Sequence, residues 1–297
     1  MKSSVIFSQP WGGLGDNLQF SNLPRLYHSV DIKFYISRLN YSRNLEIHKL
    51  VWSNNSFVRK NKKLFPNVGY KVLLDSNFKL VDEKYNNIQN INTLHGFEPG
   101  LGFPEFSLKK NDTNTNLNRY DVVLDLNAFS LFQKGSHFYD LDQFNSTVDF
   151  YSSKNTTELS YPNLYKSTPL REKHKKVEIY NLSDLINVLL RTKTFVCLNS
   201  GSHILASGLK EMTGSPKKII SFNSFYDDIE INNGKILKKL GKFYFDNVNY
   251  FYIDTGLNNK IYNKDLNFLD LQNIESKMDK YTKLNQIYFH YLKKFTK

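Results

Sequence analysis

The 297-residue chain is predicted to adopt an α/β fold built from two halves that join near residue 110. Apolar segments with the length of strands alternate with segments of helical periodicity, a pattern typical of parallel-sheet proteins. The alternation stops at the polar run KKNDTNTNLNR, residues 109–119, and restarts after it. One glycine-containing turn joins a strand to a helix in each half. We therefore expect an N-terminal unit over residues 1–112 and a C-terminal unit over residues 113–297.

The elements of the first half follow from their side-chain periodicity. SSVIFSQ is predicted to form a short buried strand, and DIKFYISR a second strand. Between them, DNLQFSNLPRLYHSV has apolar residues at helical spacing, and Pro24 predicts a helix that is kinked or built in two pieces. NLEIHKLVWSN favours a short helix, YKVLLD a strand and HGFEPGLGFPEF a loop.

The second half repeats the alternation. YDVVLDLN is predicted to form its first strand, followed by the loop SLFQKGSHF and a helix at DLDQFNSTVDFYSS. KVEIYN, TFVCLN and KKIISFNS are predicted strands, and Ser183 is the predicted N-cap of the helix DLINVLLRTK. The turn SGSH leads into the helix ILASGLKEM. Residues 274–295 carry an apolar stripe that predicts a terminal helix able to cross back to the first half.

Composition limits the class of protein. The chain is 40% hydrophobic and 15% aromatic, which is typical of a folded globular protein. Its first residues lack the pattern of a signal peptide, and its apolar runs are too short for a membrane span. A single cysteine, Cys197, excludes an internal disulfide and disfavours a thiolate metal site. We therefore expect a cytoplasmic protein without a transmembrane segment.

The formal net charge of +12 has two interpretations. An excess of Lys and Arg favours an anionic partner, namely nucleic acid, an acidic membrane surface contacted peripherally, or a phosphorylated saccharide. Alternatively, an AT-rich genome enriches lysine, since the lysines are scattered along the chain and do not form one block.

Two glycine turns are the candidate ligand-binding motifs. QPWGGLGD follows the first strand, LNSGSHILA follows a strand of the second half, and each opens a helix. A helix N-terminus offers unpaired N–H groups and the positive end of the helix dipole, so it binds phosphate or stabilises a carboxylate. The first turn lacks the G-x-G-x-x-G register of dinucleotide-binding proteins. One turn in each half predicts two facing units with a ligand crevice between them.

Asp16 stands at the start of the helix that follows the first turn. An aspartate there either caps the helix or acts as a general base toward an acceptor hydroxyl in the crevice. The spacing leaves both interpretations open. His95 and Glu98, in the loop HGFEPGLGFP, are candidates for acceptor contact, because functional loops often have such a glycine-proline frame. An ordinary turn is the alternative.

The two turns carry a resemblance to a known family. GGLGDNLQFSNLP resembles the G-D-x-L segment that opens bacterial heptosyltransferases of the ADP-heptose type. NLSDLINVLLRTKTFVCLNSGSHILASGL is similar to the family's downstream block, which ends in D-[ST]-G-x-x-H-L-A. The resemblance implies two facing Rossmann-like domains with an interdomain cleft, the GT-B arrangement. It also implies inverting sugar transfer from a nucleotide-diphosphate sugar, a co-substrate, with neither a catalytic metal nor a bound cofactor.

The resemblance further implies roles for individual residues. Asp16 is implied to be the catalytic base, and Lys134, in the loop after the first strand of the second half, to bind the donor phosphates. The resemblance implies that Gly12, Gly13 and Gly15 shape the acceptor-side pocket, where Asn17 is a further candidate. It implies that Ser200, Gly201 and Ser202 line the donor diphosphate site, where Asn199 and His203 are further candidates.

The chain departs from the family's pattern at two positions. Asn199 replaces the usual acid, so a hydrogen bond remains but a charge is lost. Ile204 occupies the family's histidine position, and His203 precedes it. Either a one-residue shift brings His203 to the phosphates, or the donor differs from ADP-heptose, or His203 is a structural, partly exposed loop residue. Asp140 and Asp142 match the D-x-D motif of metal-dependent glycosyltransferases, but this motif also arises by chance at acidic helix starts. No metal site is expected.

The sequence therefore favours a glycosyltransferase that moves a sugar from a nucleotide-diphosphate donor to a hydroxyl of a surface saccharide, of the lipopolysaccharide or capsule type. One alternative is a glycosyltransferase that acts on a hydroxylated base in phage DNA, which the positive charge fits equally. Another is a non-catalytic protein that binds a nucleotide sugar or nucleic acid on the same fold. A strongly salt-dependent affinity for duplex DNA would separate the two acceptors.

Overall fold

The computed structural model describes residues 4–60, 66–69, 85–108, 120–126, 155–162, 174–198, 200–224, 229–232, 235–238, 245–253 and 261–263. Strands and helices alternate along these residues, and the strands form two sheets and a separate hairpin. The predicted α/β class is therefore confirmed. Among the described helices, none combines the length and apolar character that crossing a bilayer requires.

In the described part of the chain, the first sheet contains four strands: β1, Ser4–Ser8; β2, Lys33–Ile36; β3, Val58–Arg59; and β4, Val68–Gly69. They are parallel and lie in the order β3-β2-β1-β4. β1 lies between β2 and β4, and its apolar side chains Val5 and Phe7 are buried, as is typical of an inner strand of a parallel sheet.

The helices around this sheet are α1, Leu14–Leu18; α2, Leu23–Ser29; α3, Leu45–His48, continued by the π-helical turn Lys49–Ser53; and α4, Asn87–Leu94. The predicted helix around Pro24 is thus built in two pieces. Pro24 lies in the first turn of α2, where its missing N–H has no intrahelical partner to lose. The rings of Phe20, Phe34 and Trp52 pack around Phe7 in the core.

Seven described strands form the second sheet: β5, Tyr120–Asp125; β6, Thr156–Ser160; β7, Lys175–Glu178; β8, Thr192–Leu198; β9, Lys218–Ser224; β12, Asn249–Ile253; and β13, Ile261–Asn263. The hairpin consists of β10, Ile229–Asn232, and β11, Lys235–Lys238. Six strands are parallel, in the order β7-β6-β5-β8-β9-β12, and β13 pairs antiparallel at the edge. Numbered along the chain, the six follow the order 3-2-1-4-5-6 of a Rossmann-like sheet.

Two further helices, α5, Leu182–Leu190, and α6, Gly201–Thr213, flank β8 along the chain. The predicted N-cap of α5, Ser183, is wrong by two residues, because Asn181 is the cap. Asn181 Oδ1 accepts from the Asp184 N–H (3.0 Å), and the Asp184 carboxylate accepts from the Asn181 N–H (3.1 Å). This reciprocal pair satisfies two amides that would otherwise lack partners. The predicted strand YKVLLD, the predicted helix DLDQFNSTVDFYSS and the predicted terminal helix lie outside the described residues.

Candidate active site

The strand order of each sheet positions its glycine turn. In a doubly wound sheet, ligands bind beyond the carboxyl ends of the strands, at the point where the strand order reverses. In the first sheet this point lies between β1 and β4, and the first glycine turn follows β1. In the second sheet it lies between β5 and β8, and the turn Ser200–Ser202 follows β8. Both motifs therefore lie where this fold binds ligands.

The two turns touch through glycines. A Cβ atom on Gly201 would lie 3.0 Å from Leu14 Cβ and 3.1 Å from the Gly15 backbone nitrogen, closer than ordinary van der Waals contact. A Cβ atom on Gly15 would lie 2.6 Å from Ile204 Cδ1 and 3.6 Å from Gly201 Cα. The N-terminal ends of α1 and α6 thus pack backbone to backbone. Ile204, at the family's histidine position, is a packing residue in this contact.

Asp16 is the third residue of α1, and Gly13 is the N-cap. The Gly13 N–H donates to Asp16 Oδ2 (3.0 Å), which is one half of a capping box. Gly13 has no side chain to complete the other half, whereas Asn181 and Asn86 do so at α5 and α4. Asp16 is partly buried. It assists the helix start from the third position of the helix, and its role as a general base stays a prediction.

Asn17 lies at the centre of a hydrogen-bond network beneath the first turn. Its side chain is fully buried, and its Oδ1 accepts from Trp52 Nε1 (2.8 Å), Ser42 Oγ (2.9 Å) and Gln9 Nε2 (3.2 Å). Its Nδ2 donates to the Gly13 carbonyl (2.9 Å). These contacts use both ends of the amide to hold the turn, so Asn17 supports the predicted pocket from behind.

The segment after β2 lines the same turn. The Tyr41 ring lies against Gly12, where an added Cβ would overlap Tyr41 Cε1, so a side chain at position 12 would displace the ring. The Arg43 backbone N–H donates to the Gly12 carbonyl (2.8 Å). The Arg43 guanidinium also lies near Gly13, because a Cβ atom added to Gly13 would be 3.9 Å from Arg43 Nη2. Sequence reasoning missed Tyr41 and Arg43 because contact with the turn depends on the pairing of β1 with β2.

Two serine hydroxyls lie at the start of α6. Ser200 is the N-cap, but its hydroxyl is hydrogen-bonded to Ser202 Oγ (2.8 Å), and within the described residues it makes no cap bond to the helix. The first N–H groups of this 13-residue helix are therefore not satisfied by the side chain of their cap. Such a helix start can bind an anionic group.

His203 belongs to the core. Its side chain is 0% exposed, its Nε2 is hydrogen-bonded to Tyr250 Oη (2.9 Å), and its ring packs against Phe245. It is a helical residue, so the partly exposed loop histidine considered from the sequence is not what the structure contains. In this arrangement His203 presents no surface to a donor.

His95 and Glu98 occupy different environments. His95 is buried and its Nδ1 is hydrogen-bonded to Tyr27 Oη (2.9 Å), whereas Glu98 is exposed. The loop that follows them reaches α6, where a Cβ on Gly208 would lie 2.7 Å from Phe106 Cε1 and 2.8 Å from Pro104 Cγ. The loop thus connects the surroundings of the first sheet to α6, and His95 contributes to the core of the first sheet.

Asp125 ends β5 at the reversal point of the second sheet, directly across from Cys197 of β8. It is buried, and its Oδ2 accepts from the Tyr161 hydroxyl (3.0 Å). Burial and the nearby Asp125 charge raise the pKa of the Tyr161 hydroxyl, and also that of the Cys197 thiol, well above their usual ranges. A polar residue at the carboxyl end of an apolar strand is the signal in LDLN that would have identified Asp125.

Two predicted donor-binding residues, Lys134 and Asn199, and the D-x-D pair Asp140 and Asp142 lie outside the described residues. Among the residues that are described, no group of three or more His, Cys, Asp or Glu side chains could hold a metal ion.

No protein-family model and no curated protein matches the chain. It is similar to the crystal structure of the iron-containing dodecameric glycosyltransferase TibC from enterotoxigenic E. coli H10407 (TM-score 0.54, 14% identity), covering 84% of this chain and 62% of that one. It is also similar to the dodecameric iron-containing heptosyltransferase TibC in complex with ADP-D-beta-D-heptose (TM-score 0.53, 12% identity, 81% and 62%). E. coli ADP-heptose lps heptosyltransferase II matches at a TM-score of 0.42 and 10% identity, over 95% of this chain and 99% of that one.

The chain spans about three fifths of the length of the two TibC structures. At these identities, the similarity concerns the fold. The resemblance inferred from the two glycine motifs is confirmed at that level, because the chain folds like the two TibC structures.

Proposed function

We infer that the chain is a nucleotide-sugar-dependent glycosyltransferase with two facing Rossmann-like lobes, residues 1–112 on the acceptor side and 113–297 on the donor side. The observation that carries this proposal is the contact between Gly15, which precedes Asp16, and Gly201, which opens the donor-side helix. This contact brings Asp16 close to the start of α6. Sugar transfer to a hydroxyl needs a base for the hydroxyl proton, which Asp16 can provide, and a group that binds the donor phosphates, which a helix start can provide.

On the acceptor side, Asp16 accepts the proton of the attacking hydroxyl. Among the described residues, its carboxylate has one hydrogen bond, from the Gly13 N–H to Oδ2, so Oδ1 is available for that proton. As the proton moves, the acceptor oxygen bonds to the anomeric carbon. The bond from that carbon to the donor phosphate breaks, and a nucleoside diphosphate departs. A single displacement of this kind inverts the anomeric configuration.

On the donor side, charge grows on the departing diphosphate. The N–H groups at the start of α6 and the hydroxyls of Ser200 and Ser202 offset this charge, since they already converge at one turn. Lys134 and Asn199 complete the donor site in this proposal, and no catalytic cation is assigned. His203 is left out because its side chain is fully buried.

The acceptor in this proposal is a surface saccharide of the lipopolysaccharide or capsule type, modified on the cytoplasmic side. The net charge of +12 supports an anionic partner of this kind.

A donor screen tests the first half of the proposal. The melting temperature is measured with ADP-, UDP-, GDP- and CMP-sugars, each with and without duplex DNA. A ligand that binds the native state raises the melting temperature by mass action, so one nucleotide is expected to give a clear increase. A further increase in melting temperature with DNA, lost at higher salt, would indicate that the acceptor is nucleic acid and not a saccharide. The absence of any increase would contradict the donor site.

The variant Asp16→Asn tests the second half, and Asp184→Asn is its matched control. Both aspartates are third residues of a helix, partly buried, and accept from the N–H of their N-cap. Both substitutions therefore weaken a helix start by up to about 1 kcal/mol. Asp16→Asn is expected to lower turnover by roughly 10²-fold or more while donor binding persists, and Asp184→Asn to retain turnover. Turnover that survives Asp16→Asn excludes Asp16 as the base. Donor binding without turnover in the wild type would indicate a non-catalytic binding protein.

A further inference from the structure

Backbone and side-chain hydrogen bonds connect two segments around the first glycine turn. One segment is residues 9–13 of the turn and the other is residues 40–43, which follow β2; together these residues are called the rim. The Tyr41 N–H donates to the Gln9 carbonyl (3.0 Å), and Gln9 Nε2 donates to the Tyr41 carbonyl (2.6 Å). Arg43 adds an N–H bond to a carbonyl of the turn (2.8 Å). The rim backbone is therefore fixed on both sides of Tyr41.

Two aromatic side chains of this fixed rim remain in contact with solvent. Tyr41 is 53% exposed and Trp11 is 40% exposed, whereas the other tryptophan, Trp52, is fully buried. Exposing large rings forgoes the stabilisation that burial would provide. Both rings belong to one hydrogen-bonded edge and present part of their surface to solvent.

The Tyr41 ring lies beside the turn that holds the Asp16 carboxylate. The Tyr41 ring contacts Gly12, and Asp16 accepts from the N–H of Gly13, the next residue. Consecutive Cα atoms are about 3.8 Å apart, so the ring and the carboxylate are anchored one residue from each other. A molecule whose hydroxyl reaches Asp16 therefore binds next to the Tyr41 ring.

We propose that Trp11 and Tyr41 form a platform that binds a pyranose ring of the acceptor. This inference rests on the proposed function and extends it. A pyranose presents C–H groups on its faces and hydroxyls at its edge. Its face can cover an aromatic ring while an edge hydroxyl points to Asp16.

The charge of the rim favours a saccharide over nucleic acid. Arg43 is the one charged residue among residues 9–13 and 40–43. Binding along a nucleic-acid backbone typically uses several Lys or Arg contacts to phosphates. Two aromatic faces with one cation suit a sugar ring, which needs a flat apolar surface more than a row of charges.

Fluorescence quenching tests the platform without donor or turnover. Because Trp11 is exposed and Trp52 is buried, acrylamide quenches chiefly the Trp11 emission. The probes are methyl glucopyranoside, maltotriose, tri-galacturonic acid and a single-stranded oligothymidine. At least one saccharide is expected to protect Trp11 from quenching, with oligothymidine giving weaker protection.

The variants Tyr41→Ala and Tyr41→Phe identify the ring as the contact. Tyr41→Ala is expected to weaken saccharide binding about tenfold, since it removes one aromatic face, and Tyr41→Phe to keep it within about twofold. Tyr180→Ala is the control, because Tyr180 is 57% exposed but lies outside the rim, and it should leave binding unchanged. Melting temperatures verify that each variant is folded.

The outcomes separate this inference from the proposed function. Protection by oligothymidine alone, protection by no saccharide, or equal binding by Tyr41→Ala and the wild type each overturns the platform. If the platform fails while Asp16→Asn abolishes turnover, the transferase proposal stands with another acceptor site. Saccharide protection that depends on Tyr41, in a chain without donor binding, would instead leave a saccharide-binding protein.

Discussion

The substitution Gly201→Ala tests the contact between the two helix starts. The new methyl group would lie 3.0 Å from Leu14 Cβ and 3.1 Å from the Gly15 nitrogen. Ordinary van der Waals contact begins at 3.4 Å, and one of the two neighbours is backbone, so α1 and α6 have to move apart by a few tenths of an ångström. The perturbation therefore acts on the distance between Asp16 and the donor-side turn.

The expected magnitude follows from two opposing effects. Inserting a methyl group into a close contact costs roughly 1–3 kcal/mol. Replacing a glycine that is not in the left-handed conformation by alanine stabilises the folded state by about 0.4–1 kcal/mol, because it restricts the unfolded chain. The difference is a net loss of roughly 0–2.6 kcal/mol. A loss of about 1 kcal/mol, near the middle of this range, lowers the melting temperature by about 2–4 °C. Because small displacements of reacting groups slow catalysis, kcat/KM is expected to fall roughly five- to tenfold.

Gly214→Ala provides the matched control at the other end of α6. Gly214 has φ +76°, and a Cβ there would meet no atom within 4 Å, so alanine costs roughly 1–2 kcal/mol through backbone strain alone. Its stability loss resembles that of Gly201→Ala, but it lies away from the glycine contact. The assay compares melting temperature and kcat/KM for both variants. Equal kcat/KM in the two variants would refute the role of the contact.

Two further changes test the interior of the site. Asn17→Ala removes the acceptor shared by three donors and should lower the unfolding free energy by about 3 kcal/mol or more, because each unsatisfied buried donor costs roughly 1–3 kcal/mol. Urea unfolding measures this, and a loss below about 1 kcal/mol would contradict the network. Burial and Asp125 raise the pKa of Tyr161 above its ordinary value of 10.0, so the folded chain keeps a proton that the unfolded chain releases, and stability falls as the pH rises above 10. Tyr161→Phe should make this alkaline loss shallower, and unchanged slopes would show that Tyr161 does not titrate as described.

Local features were predictable because they depend on nearby residues. The alternation of strands and helices follows from the spacing of apolar side chains, and the break around Pro24 follows from a missing N–H. The glycine turns were recognised because a strand, a glycine-rich stretch and a helix adjoin in sequence. The error at Ser183 also has a local origin, since Asn181 and Asp184 form a reciprocal pair that outcompetes a serine inside the first turn.

The surroundings of the candidate site were less predictable, because they depend on residues far apart in the chain. Asn17 meets Ser42 and Trp52 only after β1 pairs with β2 and the following helix packs against them. Likewise, His203 faces Tyr250, forty-seven residues later, which decides that it belongs to the core. The periodicity and spacing of residues within one segment cannot predict such contacts between distant parts of the chain.

By itself, the sequence determined the α/β class, the position of the two glycine turns and Asp16 as the carboxylate beside the first turn. Each depends on chain neighbours, whose geometry is set by covalent connection and side-chain type. The tertiary structure alone decided that both turns lie at the reversal points of their sheets and that Gly15 meets Gly201. Those facts depend on strand order and helix packing, in which long-range burial selects one arrangement among many that the same local elements allow.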